Sequence, residues 1–229
     1  MRYGVSALLT ALCFAVGSAN APPASGATTT TDKSGGMVMQ LKGKDGKSFE
    51  IHVPPPNGKP QTVPGLDDLF GVFMDYCLEA FPDDAAVEAK AKAGAHQALE
   101  GEELNAVLHG DPGEGWVVRI NHSAITVTVE HPPYHSCGVQ AILPTEPDIG
   151  MKAATFIGLW GFTQTPPETL VPAPMQSRAA GGSVQTLQPF VLVGPDKQPI
   201  EQIGAFFGHD PNSQQVKLRL VRMRGNNPH

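Results

Sequence analysis

One amphipathic segment constrains the fold of this chain more than any other part of the sequence. From residue 66 to residue 81, apolar side chains recur at the i, i+3, i+4 and i+7 spacing that aligns them on one face of a helix. They are Leu66, Leu69, Phe70, Phe73, Met74, Cys77, Leu78 and Phe81. Pro82 cannot continue such a helix. The pattern predicts a helix over 66–81 whose buried face carries Cys77, where a cross-link to a core strand can form.

The N-terminus has the three-part order of a cleavable signal peptide over residues 1–21. Arg2 supplies the positive charge, and the apolar run that follows is about twelve residues long, too short for a bilayer that requires roughly twenty. Small residues come next, and cleavage fits after Ala19, Ala21 or Ala27. We therefore expect a periplasmic or secreted protein. No later apolar run reaches about eighteen residues, which predicts a soluble mature chain without a transmembrane segment.

The signal peptide also changes the cysteine count. The chain has three cysteines, and Cys13 leaves with the peptide, so that Cys77 and Cys137 remain. In an oxidising compartment an even pair is most simply a disulfide, and closing a loop of about 60 residues stabilises a fold by roughly 4 kcal/mol. Two free thiols are the alternative.

Composition excludes one class of partner. The chain has 16 Lys and Arg against 22 Asp and Glu, a net charge of −6. Because duplex-binding proteins concentrate positive charge on one face, we expect no nucleic acid as a partner.

The remaining patterns predict an α+β fold in a single domain over 37–229, preceded by a flexible linker over 22–36. Residues 37–53 alternate as a β-hairpin, for which a peripheral position is left open. Further helices are expected at 84–93, around 102–108 and after Thr145, which is expected to cap the last one. Strands are expected at 116–121, 125–130, 137–143, 184–193, 200–207 and 216–223. They form an antiparallel sheet of meander and hairpins with two or three packed helices, and Pro-rich loops at 54–65 and 163–182.

A histidine-rich turn is the first candidate site. His131, Tyr134 and His135 lie between the second and third strands of the predicted meander. A metal site needs three or four converging ligands, and His122 lies about nine residues away, or roughly 30 Å along a strand. We therefore assign no metal here and treat the turn as a candidate binding loop. The alternative is a solvated turn that its prolines stiffen.

The last strand is the second candidate. It carries Lys217, Arg219, Arg222 and Arg224. Such a strand can meet an anionic polymer or a lipid headgroup. The alternative is an edge strand that positive charge protects against pairing with another chain.

Catalysis has weak support. His109 with Asp111, and His209 with Asp210, each resemble half of an acid–base pair, but both stand in ordinary glycine- and proline-flanked turns. The sequence has no G-x-S-x-G, H-E-x-x-H or C-x-x-C motif. We assign no catalytic residue and no cofactor.

One segment carries a resemblance. Residues 73–83, with Cys77 followed by Phe81-Pro-Asp, are joined to a mid-chain Trp116 and to Cys137-Gly-Val. In these features the chain resembles a set of uncharacterised exported bacterial proteins with one cysteine in a first helix and another opening a central strand. The resemblance implies a bacterial periplasmic setting and a paired Cys77 and Cys137, and it brings no activity.

We therefore expect a non-catalytic binding or interaction module of the cell envelope, with an unknown protein or small molecule as partner. The alternative is a periplasmic hydrolase that gathers histidines such as His109, His131, His135 and His209. Two of these beside a carboxylate in one pocket would favour it. A third hypothesis is an envelope-associated adaptor that docks through the basic last strand.

Overall fold

The computed structural model describes residues 28–31, 33, 37–42, 48–53, 64–120, 123–146, 148–163, 169–180, 183–209 and 215–224. The predicted signal peptide with its cleavage sites lies outside these residues, as do His122, Asp210 and the side chain of His209. Among the described residues, no helix combines the length and the apolar character that crossing a membrane requires.

The predicted first helix is present but changes its winding halfway. α1 (Leu66–Phe73) runs directly into a π-helical segment (Met74–Ala80). π-winding replaces the i→i−4 hydrogen bonds by i→i−5 bonds, and the last of these joins the Phe81 N–H to the Tyr76 carbonyl at 3.1 Å. Tyr76 is buried although it lies outside the predicted apolar stripe. Val72 is buried as well, and Leu69, Val72, Phe73 and Tyr76 fall at i, i+3, i+4 and i+7, so the buried side of the helix is wider than the predicted stripe.

Three further helices follow, close to their predicted positions: α2 (Asp84–Ala93), α3 (Gly101–Leu108) and α4 (Ile149–Gly161). Asp83 caps α2 by accepting a 3.1 Å hydrogen bond from the Ala86 N–H. The prediction that Thr145 caps α4 is wrong. The residue before α4 is Asp148, in the left-handed conformation and without a side-chain capping bond.

A small antiparallel sheet precedes the helices. β2 (Met37–Lys42) and β3 (Ser48–Val53) form the predicted hairpin. β1 (Thr28–Thr31) pairs with the other edge of β2, so the flexible-linker prediction is wrong for these four residues. They are all threonine, whose β-branched side chain favours extended backbone.

The main sheet is antiparallel and confirms the α+β prediction. Its strands are β4 (Gln97–Ala98), β5 (Gly113–Ile120), β6 (Ser123–Glu130), β7 (Ser136–Pro144), β8 (Thr169–Pro172), β9 (Gln176–Ala180), β10 (Ser183–Val193), β11 (Pro199–His209) and β12 (Gln215–Arg224). Their order is β4-β5-β6-β7-β12-β11-β10-β8, and β9 also pairs with β10. The meander β5–β7 and the last three strands match their predictions. The stretch 163–182 was expected to be irregular, but β8 and β9 pair with successive parts of β10 and form its edge.

The basic last strand is not an edge strand. β12 pairs with β7 on one side and with β11 on the other, so Arg219 stands between Gln140 and Phe206. The prediction of an edge strand protected by charge is therefore wrong. Its pairing partner β7 lies far away in sequence, and no local pattern indicates that contact.

The core lies on one side of the main sheet, which we call the core face. α1 and the π-helical segment pack on β7, α4 packs on β11, and the rings of Phe70 and Phe156 stack at 4.2 Å between the two helices. Cys77 and Cys137 are fully buried and form a disulfide, with their Cα atoms 5.3 Å apart. The cross-link predicted between the first helix and a strand is confirmed.

The opposite side of the sheet is the polar face. It carries Thr126 and Thr128 of β6, Gln140 of β7, and Lys217 and Arg219 of β12. The two threonines and the glutamine are buried, although alternation typically turns such residues to water. A second, smaller apolar cluster around Leu99 and Val107 adjoins this face.

Candidate ligand groove and polar sheet face

An open groove lies on the core face between α4 and the strands β10, β11 and β12. Phe207 and Val216 form part of its floor, Ile149 and Ala154 its helical wall, and Met175 closes one side. Its volume is about 490 Å³. No charged side chain lines it among the described residues. We call it the ligand groove.

The rim of the ligand groove carries exposed apolar side chains. Met151 and Met175 are 63% and 65% exposed, and Leu159 and Phe162 extend the exposed apolar surface along α4. Methionine has a flexible, polarisable side chain that adapts to irregular ligands. Clustered exposed apolar groups of this kind mark binding surfaces.

Two polar side chains of β10 give the ligand groove a polar wall. The hydroxyl groups of Thr186 and Ser177 lie 3.0 Å apart. Gln188 Nε2 donates to the carbonyl oxygens of Ala173 and Pro189, at 3.2 and 3.3 Å. The Gln188 nitrogen is thus engaged, and the side chain offers its oxygen to a ligand as an acceptor.

The structure places Arg222, a predicted surface cation, inside the protein. Its Nε donates to Glu201 Oε2 at 2.6 Å. Its Nη1 donates to the carbonyl oxygens of Cys77, Leu78 and Phe81, at 3.1, 2.9 and 3.0 Å. These carbonyls end the π-helical segment and have no partner within the helix, so Arg222 satisfies them. This residue holds the helix to the sheet and is not available to a partner.

The other basic residues of β12 lie apart from Arg222. Arg224 is exposed, and its backbone N–H donates to the His135 carbonyl at 3.0 Å. Lys217 and Arg219 point to the polar face. The predicted basic surface is therefore divided among the core (Arg222), the exposed end of β12 (Arg224) and the polar face (Lys217 and Arg219).

The histidine-rich turn docks on α2. His135 Nε2 lies 2.8 Å from Asp84 Oδ1, and its ring packs against Phe81 with ring centroids 4.7 Å apart. Tyr134 points outward and is 45% exposed, whereas the His131 backbone N–H donates to the Pro112 carbonyl at 2.8 Å. His135 is thus held against Asp84 and Phe81 while Tyr134 faces outward, so these two predicted loop side chains do not face a common site.

The histidines of the hydrolase hypothesis do not meet in the ligand groove. His109 stands at the C-terminal end of α3, with φ of 59°, and His131 and His135 lie in the β6–β7 turn. No histidine lines the ligand groove in the part of the chain that the structure describes. In that part, no three His, Cys, Asp or Glu side chains come together as a metal site would require.

On the polar face, Arg219 crosses β7 to reach β6. Its Nη2 donates to Glu130 Oε1 at 2.6 Å, and the Ser136 hydroxyl donates to Glu130 Oε2 at 3.0 Å. Gly138 leaves room for this crossing, because a Cβ there would lie 3.0 Å from Thr128 Oγ1 and 3.1 Å from Arg219 Nε, closer than an ordinary van der Waals contact. Burial, and secondarily the charge of Arg219, lower the pKa of Lys217 from 10.5 to about 8.

Sequence reasoning missed both of these surfaces. The ligand groove forms where α4 meets strands that follow it in the chain, and its apolar residues read as ordinary core. The polar face had one usable signal, the row of polar residues at alternate positions of β6 and β12. The comparisons add no further clue: no protein family model, no curated protein and no solved structure matches this chain.

Proposed function

We propose that this protein is a non-catalytic binding protein that takes a small, largely apolar molecule into the ligand groove. One observation carries the proposal: an open groove of about 490 Å³ whose described lining is apolar apart from a few uncharged polar groups. Small-molecule sites span roughly 300–1,000 Å³ and combine an apolar lining with a few orienting polar groups.

The lining defines the chemistry of the ligand. Because no charged side chain of the described residues faces the groove, a charged group buried there would lose its hydration without compensation. The buried part of the ligand is therefore uncharged. Gln188 and Thr186 favour a ligand with one hydroxyl or amide group near β10, and the exposed Met151 and Met175 cover its apolar part.

We place this function outside the cytoplasm, in the periplasm or the extracellular medium. The buried Cys77–Cys137 disulfide supports this setting, since such bonds persist in oxidising compartments. The signal-peptide pattern over residues 1–21 and the resemblance to exported bacterial proteins support it as well.

The rival hydrolase hypothesis has the 2.8 Å pair of His135 and Asp84 in its favour. A hydrolytic site also needs a nucleophile or activated water beside a substrate pocket. The pair packs between Phe81 and α2 and contributes nothing to the ligand groove. The groove therefore favours binding over hydrolysis.

Filling the ligand groove tests the proposal. Ala154 lines it, and an Ala154→Met side chain would occupy part of its volume. Thr155→Met adds the same side chain at the next position of α4, which is exposed and outside the groove. The uncharged apolar dye Nile red, titrated by fluorescence, is the probe.

We expect saturable binding of one dye to the wild-type protein and to Thr155→Met. Ala154→Met should bind at least tenfold more weakly, because the added side chain occupies the space that the dye needs. Equal affinity of Ala154→Met and the wild type would contradict the proposed site. Absence of saturable binding to the wild type would contradict an apolar ligand altogether.

A further inference from the structure

The solvent-facing side of α4 carries apolar side chains where a surface helix ordinarily carries polar ones. Met151, Leu159 and Phe162 are 63%, 62% and 88% exposed. Phe162 follows the last residue of α4 but keeps right-handed helical backbone, so it continues the helical period. Surface helices turn charged and polar residues to solvent, whereas Lys152 is the only charged residue in the sequence of α4. This side of the helix therefore has the composition of a buried surface.

The order of large and small residues on this side of α4 is symmetric about its middle. The residues that share it fall at i, i+4, i+7, i+8 and i+11: Met151, Thr155, Gly158, Leu159 and Phe162. Met151 and Phe162 lie at the two ends, and the small residues Thr155 and Gly158 lie between them. A Cβ at Gly158 would meet no atom within 4 Å, so the space above the middle is open. We call these five residues the α4 face.

This order makes the α4 face complementary to a second copy of itself. When two copies run antiparallel about the middle of the helix, each Met151 faces the partner's Phe162. Each Thr155 then faces the partner's Gly158, because the two pairs have the same midpoint in the sequence. Small residues at the crossing let two helix axes approach to the 8–10 Å of packed helices. The arrangement has the two-fold symmetry of most protein dimers, in which the same patch is used twice.

The exposed apolar area matches a reversible dimer. Since an exposed aromatic side chain presents roughly 150–250 Å², the large side chains of the α4 face and the adjacent Met175 present on the order of 500 Å² per chain. Two copies would then bury about 1,000 Å², which is at the low end of specific interfaces. Interfaces of this size associate weakly and reversibly.

Charge favours a second copy over a membrane surface. Helices that lie on membranes carry many Lys and Arg residues, which meet anionic lipid headgroups. Lys152 is the one cation of α4, and it pairs with Glu146 at 2.6 Å. The chain as a whole has a net charge of −6. An anionic bilayer would therefore gain little attraction to this face, whereas a second copy needs none.

We infer that two copies of this protein associate through their α4 faces, antiparallel and about a two-fold axis near Thr155 and Gly158. The inference rests on the exposure and order of these residues and not on the proposed ligand. The partner's Phe162 packs on Met151, at the rim of the ligand groove. Ala154, which lines the groove, lies outside the α4 face, so a dimer and a filled groove are compatible.

Sedimentation equilibrium of the oxidised protein measures the association. We expect a monomer–dimer equilibrium with a dissociation constant in the micromolar range for the wild type. Phe162→Glu should raise this constant at least tenfold, because the dimer would bury its charge against an apolar side chain. Tyr134→Glu is the matched control, since it changes an exposed aromatic residue in the β6–β7 turn, and it should leave the constant unchanged.

Two further variants test the antiparallel register. Met151→Lys alone should also weaken the dimer. An equimolar mixture of Met151→Lys and Phe162→Glu should associate at least tenfold more tightly than either variant alone, because one contact then pairs opposite charges and the other is native. Gly158→Met should weaken association by blocking the close approach, whereas Gly71→Met, at an exposed glycine of α1 with equally open space, should not.

A wild type that stays monomeric at millimolar concentration would overturn the dimer, as would equal dissociation constants of Phe162→Glu and the wild type. No gain on mixing the two charged variants would overturn the antiparallel register. A monomeric wild type that binds vesicles of phosphatidylcholine and phosphatidylglycerol, and loses this binding in Phe162→Glu, would assign the face to a lipid surface instead. Nile red titrations at protein concentrations well below the dimer dissociation constant measure the monomer. The groove test, including its Thr155→Met control, and the association test therefore fail independently.

Discussion

Arg222 gives the sharpest prediction about what holds this fold together. Replacing it by methionine keeps the length and packing of the side chain but removes its charge and donors. Glu201, whose side chain is 9% exposed, then keeps a buried charge without a partner. The carbonyls of Cys77, Leu78 and Phe81 lose their donor at the same time.

The magnitude follows from these contacts. Removing one partner of a buried ion pair costs about 3–5 kcal/mol, because the remaining charge is uncompensated. Arg222→Met also leaves the three carbonyl oxygens without their donor, and an unsatisfied buried acceptor costs about 1–3 kcal/mol when water cannot reach it. We therefore expect a loss of free energy of unfolding near the upper end of the range of about 3–5 kcal/mol. Glu201→Gln should cost less, about 1–3 kcal/mol, because Arg222 keeps its three carbonyl partners and one acceptor remains.

Equilibrium unfolding in urea of the oxidised protein measures these changes in the free energy of unfolding. Arg224→Met is the matched control on the same strand, and its exposed side chain should change stability by less than about 0.5 kcal/mol. High salt should leave the cost of Arg222→Met nearly unchanged, since a buried pair is weakly screened. A loss below about 1 kcal/mol for Arg222→Met would refute the role assigned to this residue.

Three further predictions concern the sheet and its cross-link. Replacing Cys77 and Cys137 together by alanine should lower the free energy of unfolding by about 4 kcal/mol, because the unfolded chain regains the entropy of a 60-residue loop. Equal free energies of unfolding in urea for the double variant and the oxidised wild type would contradict this. Gly138→Ala should lower the free energy of unfolding in urea by about 1–3 kcal/mol, because the added Cβ would lie 3.1 Å from Arg219 Nε. Gly71→Ala on α1 is the control: its Cβ would meet no atom within 4 Å, so the change should be neutral or stabilising. Since the pKa of Lys217 is about 8 when folded and 10.5 unfolded, the unfolded state binds more protons between these values, and stability should rise with pH there relative to Lys217→Met. A constant difference in melting temperature between wild type and variant from pH 7.5 to 9.5 would exclude that shift.

Local patterns in the sequence predicted most of the elements. The apolar period located α1 and the π-helical segment, and strict alternation located β6 within two residues. Two cysteines remain once Cys13 leaves with the signal peptide, and this even number predicted the disulfide that the structure contains. These features depend on neighbours in the chain, which is why the sequence carries them.

Most of the failures involve contacts between distant parts of the chain; the Thr145 cap and the strand β1, which pairs with the neighbouring β2, are local exceptions. The central position of β12 depends on β7, and the strands β8 and β9 exist because β10 is long enough to pair with both. Arg222 had one usable signal: Leu218 and Leu220 share its side of the strand and are buried. That parity places Arg222 in the core, but it cannot supply the helix carbonyls that make its burial tolerable.

The ligand groove lay beyond sequence reasoning for a related reason. Ile149, Ala154 and Phe207 have the composition of core residues, and only the packing of α4 against the sheet leaves them a shared open space. The exposure of the Met151 and Met175 side chains depends on the same packing of α4 against the sheet. A site made by an incompletely closed interface leaves no local motif.

Methyl NMR of the protein labelled at its methionines tests the proposed binding function most directly. Met151 and Met175 line the ligand groove, whereas Met223 lies on the other side of the sheet and serves as an internal reference. On titration with Nile red, the methyl resonances of Met151 and Met175 should shift together and saturate, while that of Met223 stays in place. Unchanged resonances of Met151 and Met175 at saturating dye would contradict the proposed ligand groove.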